Sequence, residues 1–177
     1  MEIIRTIALY AEAKKVLFLL IGGHALNFHG LSRQTGDIDL LVKVEDKTWW
    51  TELLNRLRYS ASQDDNRFAR FRSANLGDWP IDLMFVDNST FEKLHASSSK
   101  GGVSIGEVQV VSAEHLVTLK LHALKHYQEH RYAKDYNDLL WLLRTKKARF
   151  SETELKELCK KYATVEIYSK LESDLKK

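Results

Sequence analysis

The chain has 177 residues, of which 44% are hydrophobic and 29% are charged, as is usual for a soluble globular protein. The net charge of +3 fits a phosphate-bearing partner without requiring one, and the single cysteine, Cys159, excludes an internal disulfide and a cysteine-rich zinc cluster. The longest uninterrupted apolar run, residues 16–21, is too short to span a bilayer, and the N-terminus lacks the layout of a signal peptide. These features predict a cytoplasmic protein without a membrane partner.

The first third of the chain alternates helical and strand-like patterns. Apolar residues at helical spacing predict a helix over residues 2–14, and the apolar run closed by two glycines predicts a buried strand over 16–21. The next expected elements are a short helix over 24–29, a strand over 37–43 and a helix over 46–58.

The middle of the chain has the pattern of paired strands. "RFARFRSA", residues 67–74, alternates apolar and basic residues, as a half-exposed strand does. "NLGD" then turns the chain into "WPIDLMFVD", residues 79–87, which predicts a second strand paired with the first. Residues 97–102 are predicted to form a flexible loop, and residues 103–111 a short hairpin.

From Ser112 onward every periodic segment is helical. A first helix begins at Ser112, and further helices are predicted over about 132–144, 151–161 and 164–175. The fold class is therefore α/β (α+β). We expect a small mixed twisted sheet flanked by helices in residues 1–111, with a helical region, residues 112–177, packed on it.

Two aspartates, Asp37 and Asp39, stand at alternate positions at the start of the predicted strand 37–43. Because side chains alternate between the faces of a strand, both carboxylates point the same way. Neighbouring carboxylates repel each other unless a positive charge lies between them. They are either a solvated strand end or ligands of a hard divalent cation, Mg²⁺ or Mn²⁺, that takes oxygen ligands.

A third carboxylate, Asp82, lies in the apolar segment "PIDLMFV". An acid inside such a strand is seldom fully buried without a partner. If its strand neighbours the one that carries Asp37 and Asp39, the three acids converge. Such a cluster is what two-metal phosphoryl chemistry requires.

The glycine pair Gly22-Gly23 lies at a strand end and opens a short helix. Without side chains, a triphosphate can approach the backbone, and a helix N-terminus favours negative charge. The alternative is a tight turn with no further role. The order of strand, glycine pair, helix and D-x-D strand is more specific than any one of these features.

The stretch "GGHALNFHGLSRQTGDIDLLV" resembles the signature of the DNA polymerase beta-like nucleotidyltransferase superfamily, and its "R-x-T-x-D-x-D" form is similar to AbiEii-like toxin nucleotidyltransferases. The resemblance implies the nucleotidyltransferase fold, with a catalytic core in residues 1–111. It implies that Gly22 and Gly23 hold the nucleotide phosphates and that Asp37 and Asp39 bind the metals. Asp82 would be the third acid, a metal-site residue that helps to activate the acceptor hydroxyl.

The resemblance continues in "LVTLKLHALKHYQEHRYAKDYNDLLWLL". It implies that Lys120 lies near the nucleotide and that Lys134 and Asp135 form a family "KD" pair, with Lys120 and Asp135 as catalytic residues. From the residues alone, Lys120 could instead extend along the apolar helix surface to reach solvent. Asp138, four residues after Lys134, is most simply explained as half of a surface ion pair.

Further candidates flank these motifs. Arg33 and Thr35 share the parity of the two aspartates, so we expect them at the edge of the nucleotide site, where the planar Arg33 guanidinium suits phosphate. A surface arginine is the equal alternative. For His24, packing or solvent contact is favoured over a phosphate role. The basic residues of "RFARFRS" form either an acceptor-binding strand or, as we favour, a solvated face: Arg67, Arg70 and Arg72.

These residues predict a metal-dependent enzyme that transfers a nucleoside monophosphate from an NTP, ATP among them, to an acceptor hydroxyl with release of pyrophosphate. The acceptor is a tRNA, a protein or a small hydroxyl compound such as an aminoglycoside. By resemblance, the chain is the toxin of a toxin–antitoxin pair with a cognate antitoxin as partner. A non-catalytic nucleotide- or partner-binding protein is the alternative, which the presence of all three acids and both glycines disfavours.

Overall fold

The computed structural model describes residues 2–101, 108–126 and 129–177. The chain divides into two compact units, Met1–Ser112 and Ala113–Lys177. The first unit contains the sheet and the second is helical. None of the helices in these described ranges is both long enough and apolar enough to cross a membrane.

The first unit is built on a mixed sheet, which has seven strands in the described part of the chain. The strand order is β3-β4-β5-β2-β1-β7-β6, with β2/β5 and β1/β7 parallel and the other neighbours antiparallel. The strands are β1 (Phe18–Leu20), β2 (Ile38–Lys43), β3 (Tyr59–Asp64), β4 (Phe68–Ser73), β5 (Ile81–Val86), β6 (Ser99–Lys100) and β7 (Gln109–Val110). The predicted mixed sheet is confirmed.

Four helices are described in the same unit: α1 (Glu2–Lys14), α2 (Gly22–Phe28), α3 (Lys47–Arg56) and α4 (Asn88–Ala96). Helix α3 follows β2 after a short 3-10 turn, Val44–Asp46, and fully buries Trp50. The Trp50 ring meets Phe18 of β1 edge-on, with ring centroids 5.6 Å apart. Helix α3 thereby contacts strand β1, although α2, β2 and the 3-10 turn separate the two along the chain.

The centre of the sheet is buried because its strands are apolar on both faces. In β2, Ile38, Leu40 and Leu41 are at most 1% exposed, whereas Asp39 is half-buried. Burial of such side chains stabilises the fold by about 1.5–3 kcal/mol each. The acid at position 39 is thus held by a strand that packing keeps in register.

The second unit comprises α5 (Ala113–Lys125), α6 (Glu129–Arg144), α7 (Glu152–Tyr162) and α8 (Val165–Leu175). Helix α7 begins with a capping box, in which Ser151 and Glu154 satisfy each other's backbone N–H groups. Cys159 is buried here, and burial raises the pKa of its thiol to about 11. The helical character predicted for this region is confirmed in residues 113–126 and 129–177, the part of it that the structure describes.

Two elements were not predicted. Strand β3 lies at the sheet edge, and all of its residues after Tyr59 are exposed, so its sequence lacks the apolar alternation of a half-buried strand. Helix α4 follows its N-cap, Asp87, whose carboxylate accepts a hydrogen bond from the Thr90 N–H. This bond and the other hydrogen bonds to the carboxylate lower the pKa of Asp87 to about 2. Asp87 followed by buried Phe91 and Leu94 is the signal that marks this helix.

The prediction for residues 97–102 was wrong in part. Ser99–Lys100 is a short strand, β6, that pairs with β7 at the sheet edge, and this backbone pairing overrides the loop-like composition. Residue 102 of that segment, and residues 103–107 of the hairpin predicted over 103–111, lie outside the described residues. Strand β7, at Gln109–Val110, is the part of it that the structure describes.

Candidate active site

The parallel pairing of β2 with β5 brings two of the predicted acids side by side. In the register of these strands Asp39 is opposite Asp82, and Ile38 is opposite Ile81. Asp37 lies two residues before Asp39, immediately ahead of β2, on the same face by the alternation of an extended chain. The condition that the sequence left open, adjacency of the two strands, is met.

The three carboxylates form a cluster in which one oxygen from each lies within 4.8 Å of the others. Asp82 is buried, at 4% exposure, and Asp37 and Asp39 are half-buried. Oxygen-only donors in this number suit Mg²⁺ or Mn²⁺ better than a soft metal. The donor set therefore fits a divalent cation.

Thr35 positions the first acid. Its buried hydroxyl donates a hydrogen bond of 2.9 Å to Oδ1 of Asp37. The predicted parity of Thr35 with the aspartates is thus reflected in a direct contact. A nucleotide contact by Thr35 stays a prediction.

The glycine pair makes room for side chains of the site. Gly22 has a φ of +61°, and a Cβ there would collide with the Asp39 carboxylate and lie 2.8 Å from its Cβ. A Cβ on Gly23 would lie 2.7 Å from Thr35 Cβ and 2.9 Å from Arg33 Nη2. The structure adds this second reason for the glycines to the predicted approach of a phosphate.

Gly22→Ala is expected to displace Asp39 and to destabilise the fold by more than about 1 kcal/mol, because alanine is strained at positive φ. Thermal unfolding with and without Mn²⁺ and a non-hydrolysable NTP analogue measures both effects. Gly36→Ala is the matched control, since a Cβ at that position would meet no atom within 4 Å apart from its chain neighbours. Equal metal responses in the two variants would contradict the steric role of Gly22.

Arg70 is a site residue that the sequence analysis missed. Its Nε and Nη2 donate to Oδ1 and Oδ2 of Asp82, at 2.7 and 2.5 Å. The favoured interpretation of this strand, a solvated face, is wrong for Arg70, because β4 pairs with β5 and places Arg70 opposite Asp82. The signal in the sequence was the hairpin itself, since Arg70 and Asp82 are nearly equidistant from its "NLGD" turn.

His24 packs beside the site. Its ring lies 5.2 Å from that of Trp79, centroid to centroid, and is 8% exposed. Burial lowers the pKa of His24, opposed by the charge of Asp37, so the ring is neutral at pH 7. Packing, the favoured interpretation, is what the structure shows.

Arg33 belongs to the loop between α2 and β2. The amide of Asn27 holds this loop through two hydrogen bonds to the Arg33 backbone, of 3.0 and 3.1 Å. The Arg33 guanidinium lies close to Gly23, since a Cβ added to Gly23 would be 2.9 Å from Arg33 Nη2. Its contact with a phosphate stays a prediction.

In the helical unit, Lys120 forms a buried ion triad. Its Nζ bonds to Asp135 at 2.5 Å and to Asp138 at 2.8 Å, and all three residues are at most 8% exposed. The ammonium group therefore does not reach solvent along the helix, and Asp138 is not half of a surface pair. The catalytic roles of Lys120 and Asp135 stay predictions.

Lys120→Met is expected to lower the free energy of unfolding by about 3 kcal/mol, because it leaves two buried carboxylates without their cation. Urea denaturation measures the loss. Lys125→Met, at an exposed position of the same helix, is the control. Adding Asp135→Asn and Asp138→Asn to Lys120→Met should restore part of the stability. If Lys120→Met were as stable as Lys125→Met, the ion triad would be disproved.

Comparison with known proteins gives a family match over most of the chain. The family described as nucleotidyl transferase AbiEii toxin, of the type IV toxin–antitoxin system, matches residues 7–167. No curated protein matches the chain.

Solved structures share the fold at low identity. A structure of ANT(2")-Ia in complex with adenylyl-2"-tobramycin has a TM-score of 0.67 and 16% identity, covering 92% of this chain and 98% of its own. The lincosamide antibiotic adenylyltransferase LnuA has a TM-score of 0.56 and 15% identity, covering 78% and 94%. The Megavirus polyadenylate synthase has a TM-score of 0.58 and 13% identity, covering 84% of this chain and 32% of its own. The similarity to these enzymes supports the predicted nucleotidyltransferase fold.

Proposed function

The chain belongs to the AbiEii family of nucleotidyltransferases, and we propose that it transfers a nucleoside monophosphate from an NTP to a hydroxyl group. The single observation that carries the proposal is the cluster of Asp37, Asp39 and Asp82 on adjacent strands, with carboxylate oxygens within 4.8 Å. Carboxylates this close repel one another unless positive charge lies among them, and a divalent cation would add such charge to that of Arg70. Family membership alone would leave the location of the chemistry open.

The three acids form the proposed metal site, in which Asp37 and Asp39 ligate Mg²⁺ or Mn²⁺ and Asp82 lies at the acceptor side. When bound, the metal neutralises charge on the triphosphate and favours ionisation of the attacking hydroxyl. Thr35 holds the Asp37 carboxylate in place for this purpose. The two hydrogen bonds from the Arg70 guanidinium, called here the Arg70 fork, hold the Asp82 carboxylate in place.

The proposed reaction forms a bond between the acceptor oxygen and the α-phosphorus, and breaks the bond from the α-phosphorus to the pyrophosphate oxygen. The hydroxyl proton passes to Asp82, which acts as general base. Both oxygens of Asp82 accept from Arg70, but each carboxylate oxygen has two lone pairs, so capacity for the proton remains. Pyrophosphate carries the negative charge away.

The phosphates are proposed to bind beside the glycine pair. Gly22 and Gly23 lead directly from β1 into α2, next to Asp39 and Thr35. Arg33 lies beside Gly23 and offers a planar, charged donor that pairs well with phosphate oxygens. Bulkier residues at either glycine would push the acids and Arg33 from these positions.

The first proposed acceptor class is RNA or protein, as for the toxin of a toxin–antitoxin pair with a cognate antitoxin. A small hydroxyl compound is the second, and one observation favours it. The fold match to ANT(2")-Ia, solved with adenylyl-2"-tobramycin, extends over 98% of that enzyme. A chain of this size thus suffices for an enzyme of that kind.

The test is incubation of the purified chain with each α-labelled NTP and Mg²⁺ against total RNA, total protein and a panel of aminoglycosides. We expect label in one of these fractions, and none after chelation of the metal. Label in RNA or protein supports a toxin, and label in an aminoglycoside supports the second candidate. No transfer from any NTP to any fraction would contradict the proposed function.

A further inference from the structure

The Arg70–Asp82 pair distinguishes one acid of the cluster from the other two. Asp82 is 5% exposed at its side chain and both of its oxygens are hydrogen-bonded to one guanidinium. Asp37 instead accepts from the neutral Thr35 hydroxyl at Oδ1. A bidentate arginine–carboxylate pair fixes orientation as well as charge, and does so far better than a single contact.

The geometry of the sheet keeps this pair in place. Arg70 is the antiparallel neighbour of Asp82, while Asp39 is its parallel neighbour on the other side. Asp82 therefore lies between a cation on β4 and an acid on β2. The Arg70 side chain is 31% exposed and its guanidinium carbon lies 6.0 Å from the centroid of the Phe68 ring on the same face of β4.

The electrostatics agree with this placement. The hydrogen bond to Asp82 raises the pKa of Arg70 most, and the charges of Asp82, Asp37 and Asp39 raise it further against the effect of burial. All three carboxylates thus raise the pKa of Arg70, although its two hydrogen bonds within the cluster are to Asp82. A metal ion that takes Asp82 as a ligand would lie close to this guanidinium, and the two positive charges would repel each other.

We propose that Arg70 is a positioning residue. Its two hydrogen bonds hold Asp82 at the acceptor side of the reaction and keep Asp82 from ligating the first divalent cation. The first divalent cation then binds through Asp37 and Asp39. Asp82 stays oriented by the fork, ready to receive the acceptor proton. The inference rests on the proposed function, since it divides the labour within the same site.

A double-mutant cycle on metal binding tests this without an acceptor. Mn²⁺ alone is titrated into the intact chain and its free fraction is followed by electron paramagnetic resonance. In the wild type, Asp82→Asn is expected to change Mn²⁺ affinity less than about threefold, and Asp39→Asn more than about tenfold. In the Arg70→Met background, Asp82 is released to ligate, so Asp82→Asn is expected to cost about tenfold, which is a coupling of about 0.7–1.4 kcal/mol relative to the wild type.

Two further variants separate geometry from charge. Arg70→Lys keeps the charge but not the fork, so its Mn²⁺ affinity should depend on Asp82 more than that of the wild type does. It also serves if Arg70→Met folds poorly. Arg72→Met, at an exposed position of the same strand, is the matched control and should leave Mn²⁺ binding unchanged.

The outcomes are distinguishable. Equal costs of Asp82→Asn in the wild-type and Arg70→Met backgrounds would mean that the charges merely add, and would overturn the role of Arg70. Wild-type Mn²⁺ binding that does not depend on Asp39 would instead contradict the metal site of the proposed function.

Discussion

Asp39→Asn is expected to reduce nucleotidyl transfer on the order of 10³-fold, because a bound metal contributes several kcal/mol of charge stabilisation. Asp39 is opposite Asp82 in the pairing of β2 with β5, and Asp37 lies two residues before it in the same cluster. Asparagine keeps the shape that Gly22 accommodates, but it loses the charge. The measurement is transfer of label from the preferred NTP into the accepting fraction.

A second measurement separates lost metal binding from lost folding. Mn²⁺ with a non-hydrolysable NTP analogue should raise the Tm of the wild type and leave that of Asp39→Asn unchanged. Asp64→Asn is the matched control, because Asp64 is an exposed acid of β3 that pairs with Lys47, away from the cluster. A full Tm shift in Asp39→Asn would remove Asp39 from the metal site.

Asp82→Asn is expected to keep the free energy of nucleotide binding within about 1.4 kcal/mol of the wild type, roughly tenfold in affinity. Its turnover is expected to fall by a factor of about 10²–10⁴. The physical reason is that a general base acts in the transition state, whereas the ground-state complex needs the other two acids. Calorimetric titration of the analogue with Mg²⁺ measures the binding, and label transfer measures the turnover.

The structure also bounds the cost of Asp82→Asn to folding. Its partner Arg70 is 31% exposed, so water replaces part of the lost contact and the fold should survive. Arg72→Met is the control in the same assay. It should keep the turnover of the wild type, because a solvated face is the favoured interpretation for Arg72. Equal losses of binding and turnover in Asp82→Asn would mean that this residue is first of all a metal ligand.

What the sequence determined by itself was the local pattern. The D-x-D spacing places Asp37 and Asp39 on one face of a strand because side chains alternate along it, and the apolar neighbours of Asp82 mark it as an acid within a strand. The strands β2, β4 and β5 and the four C-terminal helices follow from periodicities of two and 3.6 residues. These signals come from residues close together in the chain, where hydrophobic spacing alone decides which face is buried.

Only the tertiary structure decided which strands are neighbours and which charges meet. Strands β2 and β5 pair although β3 and β4 separate them in the chain, and that register puts Asp39 beside Asp82. The same is true of Lys120, which lies 15 and 18 residues before the two acids it contacts. The sequence predicted the hairpin that carries Arg70 and Asp82, and the structure decided that the two side chains meet. An isolated arginine or lysine looks like a surface residue, because its burial depends on partners that only folding brings within reach.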